Sequence, residues 1–269
     1  MTHFQDPDAG RSFARYLGLS MEEVGEVRPG GAEVRGVVPV IDHLRIADGS
    51  IALGALLGLA DSVAGLCSGL AALPGWIVST NVMLRAVADD AVGPLELRAG
   101  VLRAGRHSVV TAVTIHDSGA QDRLLADGSL TSAVLQPADG PPIYARPLRL
   151  DLLDADLGAV PPLDEFLGAR VTAPDTLTIP ITDAVRNPWG ILHGAATAAL
   201  VDLAALHVTG ACRTTDAVLH FLAPGRVGPV RATGSVIGTR ADGHVVRVEI
   251  RDVGADDRPL AFAIVTARD

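Results

Sequence analysis

From Ser50 to Leu73 the chain is apolar at nearly every position, and it is so again from Ile191 to Ala211. Neither run carries a polar stripe at helical spacing, so each predicts a helix buried all round rather than one lying at a wet surface. Strand-like alternation follows each run. Val246, Val248 and Ile250 alternate with Arg247, Glu249 and Arg251, the period of two expected of a strand with one face in water. A shorter strand precedes each run, over Glu33 to Ile41 and Leu177 to Ile181, and a polar loop joins it to the helix.

The two halves repeat each other. Val38-Pro39-Val40-Ile41-Asp42, with Arg45 and Gly49, lines up with Ile179-Pro180-Ile181-Thr182-Asp183, with Arg186 and Gly190, at an offset of 141 (183 minus 42) that continues to Asp61 and Asp202. Beyond the helices the offset becomes 135. Val92-Gly93-Pro94 then falls on Val227-Gly228-Pro229, and Asp117 to Arg123 on Asp252 to Arg258. A register held across most of each half implies a tandem duplication. We divide the chain into an N-terminal copy (1–135), a linker (136–162) rich in Pro, Asp and Leu, and a C-terminal copy (163–269).

Composition narrows the function. The net charge is −9 and the arginines, the chain's only basic residues besides histidine, are scattered, which argues against nucleic acid as a partner. Cys67 and Cys212 lie in apolar stretches and are expected to be buried free thiols. The histidines share no metal-ligand spacing, so neither a metal nor a cofactor is expected. The start of the chain lacks the charged and apolar regions of a secretory signal, and the expected compartment is the cytoplasm. Ile51 to Leu73 is apolar enough for a membrane span, but Asp61 near its middle favours a buried core helix. Gly225-Arg226-Val227-Gly228-Pro229 reads as a hairpin turn, without the Gly-Lys-Ser/Thr ending of a phosphate loop.

A long helix with an antiparallel sheet leaves several α+β folds open. The residues at the second helix's entrance narrow the choice. Asn187, Gly190, His193, Gly194 and Asp202, in the run Asn187-Pro188-Trp189-Gly190-Ile191-Leu192-His193-Gly194-Ala195 continuing to Asp202, resemble the N-x-x-G-x-x-H-G-x-x-x-x-x-x-x-D signature of the PaaI-type acyl-CoA thioesterases. That family usually has a second glycine where this chain has Ala195. The resemblance implies an α+β fold of two tandem hotdog domains, each a long central helix wrapped by an antiparallel sheet. It also implies hydrolysis of an acyl-CoA thioester to free acid and CoA.

In the first copy the signature is erased, with Ile46, Ala52 and Leu53 at the positions of Asn187, His193 and Gly194, while Asp61 and Ser79 stand opposite Asp202 and Thr214. Family members pair side by side and take the Asp from the neighbouring copy. The resemblance therefore implies one composite site of Asp61, Asn187, His193, Gly194 and Ser79, and a dead mirror with Asp202 and Thr214. If pairing is instead within one copy, Asp202 replaces Asp61. In the implied site the Gly194 N–H would hold the oxyanion at a helix N-terminus. Asn187 and His193 would orient the thioester, water or loop, and Asp61 would be base or nucleophile, with Ser79 positioning water or Asp61. Taken singly, His193 reads as an ordinary helix-start histidine, Asn187 as a turn former, Gly194 as packing and Ser79 as a strand residue. The rival reading is a non-catalytic acyl-CoA or acyl-carrier binding protein. A hotdog hydratase would need an Asp and His closer in one loop than Asp183 and His193 are. Chain-length preference stays open, and a homodimer of double-hotdog chains is expected.

Overall fold

The alternating segments all join one antiparallel sheet, because each has an apolar face that must be covered and the two apolar helices supply the cover. In this computed structural model the described residues are 13–25, 30–39, 42–136, 147–151, 160–187 and 189–268. Val40, Ile41 and Pro188 of the repeat and signature, and most of the linker, lie outside them.

The first copy comprises α1 (Phe13–Tyr16), β1 (Ser20–Glu23), β2 (Glu33–Val38), α2 (Leu53–Ala72), β3 (Trp76–Ala86), β4 (Leu95–Ala104), β5 (Ser108–Asp117) and β6 (Arg123–Leu135). A short β7 (Arg149–Asp151) follows and pairs with β1. The second copy comprises α3 (Leu163–Leu167), β8 (Arg170–Ala173), β9 (Thr176–Ile179), α4 (Gly194–Thr209), β10 (Arg213–Phe221), β11 (Val230–Arg240), β12 (Gly243–Asp252) and β13 (Arg258–Arg268). The sheet runs β7-β1-β2-β4-β5-β6-β3-β10-β13-β12-β11-β9-β8. Its two halves are therefore mirror-ordered about the β3–β10 seam.

That seam pairs Asn81 to Arg85 with Asp216 to His220. Asn81 donates its side-chain amide to the Leu219 carbonyl at 3.2 Å, and Arg85 pairs with Asp216. On the covered face, α2 and α4 touch directly. A Cβ on Gly54 would lie 2.7 Å from the Ala199 Cα and 2.8 Å from the Asp202 Cβ, and one on Gly58 would lie 2.6 Å from the Ala195 Cβ. Contacts that climb α2 while descending α4 mean the helices run antiparallel. α2 is long and apolar enough to cross a membrane, but most of it is buried inside this fold.

The repeat extends further towards the N-terminus than the motifs show. At an offset of 150 (166 minus 16), Tyr16-Leu17-Gly18 matches Phe166-Leu167-Gly168, and the bounds of β1 fall on those of β8. Both glycines end their helix in the left-handed region, φ +63° and +64°, and the Tyr16 and Phe166 rings meet at 4.1 Å. An aromatic followed by Leu-Gly was the available signal. The sequence reading missed it because a longer β1–β2 connection shifts the register by nine (150 minus 141).

Two expectations are corrected. Cys67 is buried, but Cys212 is exposed, because it lies in the turn between the end of α4 and β10 rather than on either apolar face. Gly225 to Pro229 is not a hairpin, since β10 and β11 are not neighbours. It is a crossing loop pinned by buried Asp252, which accepts the N–H groups of Arg226, Val227 and Gly228 at 2.9, 3.0 and 2.7 Å. Asp117 holds Val92 and Gly93 in the same way, both at 2.8 Å.

Because the helix contact leaves no room for a side chain at Gly58, Gly58→Val is expected to cost about 2 kcal/mol or more of stability by overpacking. Gly100→Ala, where a Cβ meets nothing within 4 Å, should cost far less, and urea denaturation of the two variants compares them.

Candidate active site

Antiparallel packing of α2 on α4 carries Asp61 to the first residue of the opposite helix. A Cβ on Gly194 would stand 2.5 Å from the Asp61 Oδ2, so any side chain there would displace the carboxylate, which lies close against the backbone at the helix N-terminus. Ser79 donates its hydroxyl to the Asp61 Oδ1 at 2.7 Å. The β3 ladder slips between Ser79 and Asn81, leaving Thr80 unpaired against β6, and such a bulge re-aims the side chains beside it. Asp61 is 9% exposed. Burial pushes its pKa up to about 6, with the Ser79 hydrogen bond pulling it back. Among the described residues, no other donor bonds this carboxylate, and Oδ2 is without a hydrogen bond from them.

His193 is the N-cap of α4, and its Nδ1 accepts the Ala195 N–H at 3.0 Å. An accepting Nδ1 places the ring proton on Nε2. Burial lowers the pKa of His193 to about 4, so at neutral pH the imidazole is uncharged and Nε2–H is a spare donor. The Phe13 ring lies 6.0 Å away, centroid to centroid. Asn187 turns its Oδ1 onto its own loop and accepts the N–H groups of Trp189 and Ile191 at 3.0 and 3.3 Å. That leaves the Asn187 Nδ2 to donate outward. Among the described residues it makes no hydrogen bond to Asp61 or Ser79. Its loop meets the first copy through Trp189 and Trp76, whose rings are 4.6 Å apart.

Thus Asp61, Ser79 and Gly194 converge, His193 builds the helix end they share, and Asn187 holds the loop leading into it. Among the described residues, no group of three or more His, Cys, Asp or Glu could hold a metal ion.

The mirror position is built differently. Ala52 replaces His193 and gives α2 no side-chain cap. Asp202 supplies one instead, since its Oδ2 accepts the Gly54 N–H at 2.8 Å while its Oδ1 accepts the Thr214 hydroxyl at 2.5 Å. Both oxygens of this carboxylate, 2% exposed, are occupied by fixed donors. Burial raises its pKa, against the pull of those two hydrogen bonds. At the entrance Asp48 takes the place of Trp189 and accepts from Ser50, and Arg213 pairs with Asp48 and Asp89 at 3.2 and 3.0 Å. The aromatic contact of one mouth is an ionic cluster at the other.

This difference predicts opposite stability effects. Asp202→Ala removes a helix cap and strands the Thr214 hydroxyl, and should cost about 2 kcal/mol. Asp61 has a folded-state pKa raised above its unfolded value, so its contribution is present at low pH and lost as pH rises through about 6. At neutral pH, Asp61→Asn should therefore leave stability unchanged or higher, and thermal melts of both variants test this.

No family model matches the sequence, and no curated protein does. Solved structures match over nearly the whole chain. The tesB protein of Mycobacterium avium subspecies paratuberculosis superposes with a TM-score of 0.62 at 12% identity, over 94% of this chain and 96% of that one. The 12:0-ACP thioesterase of Umbellularia californica gives 0.57 at 12% identity, over 88% and 94%. A candidate thioesterase from Novosphingobium aromaticivorans gives 0.57 at 18%, over 87% and 94%. With two central helices against one long antiparallel sheet, the chain has the double-hotdog fold of these thioesterase structures.

Proposed function

We propose that the chain hydrolyses an acyl-CoA thioester at one composite site, built by Asp61 and Ser79 of the first copy with Gly194, His193 and Asn187 of the second. The observation that carries this reading is the contrast between the two aspartates. Asp202 has both oxygens engaged, whereas Asp61 has one held by Ser79 and one directed at a helix N-terminus. The resemblance of the helix entrance to the PaaI-type signature supports the same substrate class.

In the proposed reaction the thioester carbonyl oxygen points at the Gly194 N–H, which as the first in its helix has no acceptor within it. The Asp61 Oδ2 takes a proton from water as the water oxygen bonds to the carbonyl carbon. The charge that gathers on the former carbonyl oxygen is held by that N–H and the helix dipole, a class of contact worth about 3 kcal/mol. As the intermediate collapses, the C–S bond breaks and the leaving sulfur receives the proton from Asp61. Ser79 keeps the carboxylate aimed, and the neutral His193 and the Asn187 amide offer donors to the thioester or the water.

Release of free CoA from medium-chain, long-chain and phenylacetyl-CoA tests the assignment. Asp61→Asn should lower kcat by about 100-fold or more, and Asp202→Asn should retain most of it once its stability loss is allowed for. Loss with Asp202→Asn alone would overturn the cross-copy site. Binding without any CoA release by the wild type would make this a binding protein instead. Because Asp61 must be ionised to accept a proton, kcat/KM should fall about tenfold per pH unit below about 6 and level off above it. A profile flat down to pH 4.5 would remove Asp61 from the base role.

A further inference from the structure

Two glycines of α2 are not explained by packing. Gly54 and Gly58 are forced by the helix contact, but a Cβ at Gly65 would meet nothing nearer than the Leu130 side chain at 4.0 Å, and one at Gly69 nothing nearer than Ile77 at 3.7 Å. Glycine inside a helix is unfavourable relative to alanine, so something other than close approach must recommend these two. They follow Asp61 at four and eight residues, on the same side of the helix.

The sheet beneath them carries a second oddity. Ser132 is wholly buried, and its Oγ has no hydrogen-bond partner among the described residues. In the β3–β6 ladder it stands opposite Ser79, on the strand face that also presents Leu130 below Gly65, and two residues before Val134, which faces Ile77 below Gly69. Cross-strand neighbours sit about 5 Å apart, so Ser132 is one strand further than Ser79 from Asp61. The second copy departs from this at two of the three positions. By the repeat, Leu206 stands where the first copy has Gly65 and Ala267 where it has Ser132, whereas the position of Gly69 keeps a glycine, Gly210, which there caps the end of α4.

We infer that the acyl group of the substrate lies along α2 over Gly65 and Gly69, and that Ser132 hydrogen-bonds an oxygen on it. The favoured substrates are then acyl thioesters bearing a hydroxyl or keto group near the thioester. This rests on the thioesterase reading above and adds to it a place and a polarity for the acyl group. The stretch of α2 from Asp61 to Gly69 spans eight residues, about 12 Å at 1.5 Å per residue, the length of a medium-length chain. An unsubstituted chain would leave the Ser132 hydroxyl unpaired, and a site built to bond a substrate oxygen discriminates against the analogue lacking it.

The test compares 3-hydroxyhexanoyl-CoA, hexanoyl-CoA and acetyl-CoA with the wild type, Ser132→Ala, Gly65→Leu and Gly65→Ala. The wild type should prefer the hydroxylated over the plain hexanoyl substrate in kcat/KM, and Ser132→Ala should lower that ratio about tenfold. Gly65→Leu, which installs the second copy's residue, should lower the hexanoyl-to-acetyl ratio by a similar factor. Gly65→Ala should raise Tm while moving the same ratio in the same direction, a combination that a structural role alone would not give. Ratios unmoved by Ser132→Ala and by both Gly65 variants would overturn the groove and leave the thioesterase reading standing. If the wild type releases no CoA, that reading falls, and quenching of Trp76 and Trp189, the chain's two tryptophans, decides the groove. Tighter binding of 3-hydroxyhexanoyl-CoA than of hexanoyl-CoA, lost in Ser132→Ala, would support it, and equal binding would overturn it.

Discussion

The close antiparallel contact of the two central helices is the constraint on which the rest of the structure depends. Gly54 and Gly58 let the backbone of α2 approach Ala195 and Ala199 of α4, and interiors packed this tightly leave no freedom in register. Once that register is set, each helix must deliver its aspartate to the N-terminus of the other. The seam between β3 and β10 fixes the same pseudo-twofold relation from the sheet side.

A helix N-terminus with unsatisfied N–H groups is favourable ground for a carboxylate, and the two ends of this protein use that fact differently. At the second copy's end, His193 satisfies the Ala195 N–H, the position matching Gly54. The aspartate arriving there is not needed as a cap and keeps one oxygen uncommitted. At the first copy's end the histidine is replaced by Ala52, and Asp202 bonds the Gly54 N–H itself. With alanine in place of the imidazole, the aspartate takes over the cap, and both of its oxygens become engaged. An erased site in a fused pair need not become a stability defect, because the same carboxylate can take over the cap.

The two buried aspartates differ in how fully they are satisfied. Buried polar groups are usually fully bonded, and Asp202 obeys that rule. Asp61, with Ser79 as its one donor among the described residues, is held in a costly state that raises its pKa towards neutrality. Such a carboxylate is ionised at physiological pH yet still basic enough to take a proton. Ser132, whose hydroxyl has no hydrogen-bond partner among the described residues, lies in the same copy as this carboxylate, directly opposite Ser79 in the β3–β6 ladder.

Much of this was legible in the chain because it depends on local pattern. The apolar runs fix the helices, the period-two segments fix strands, and two offsets reveal the duplication. Asn187, His193, Gly194 and Asp202 could be picked out because their spacing within one short run resembles a family signature, and Asp61 because the repeat sets it opposite Asp202. What joins residues far apart could only be decided by tertiary structure. The sequence holds Asp61 and Asp202 in equivalent positions, and nothing local says that Asp202 is tied to Gly54, 148 residues away, or that Asp61 is not tied to Ala195. Cys212 read as buried because its neighbours are apolar, yet a turn exposes it. Gly54, Gly58, Gly65 and Gly69 look alike in sequence, and only the opposing surface separates those that admit a helix from those where a Cβ would make no more than ordinary contact. Local chemistry is written in neighbouring residues, whereas the satisfaction of a buried group depends on which distant atoms the fold brings within 3 Å.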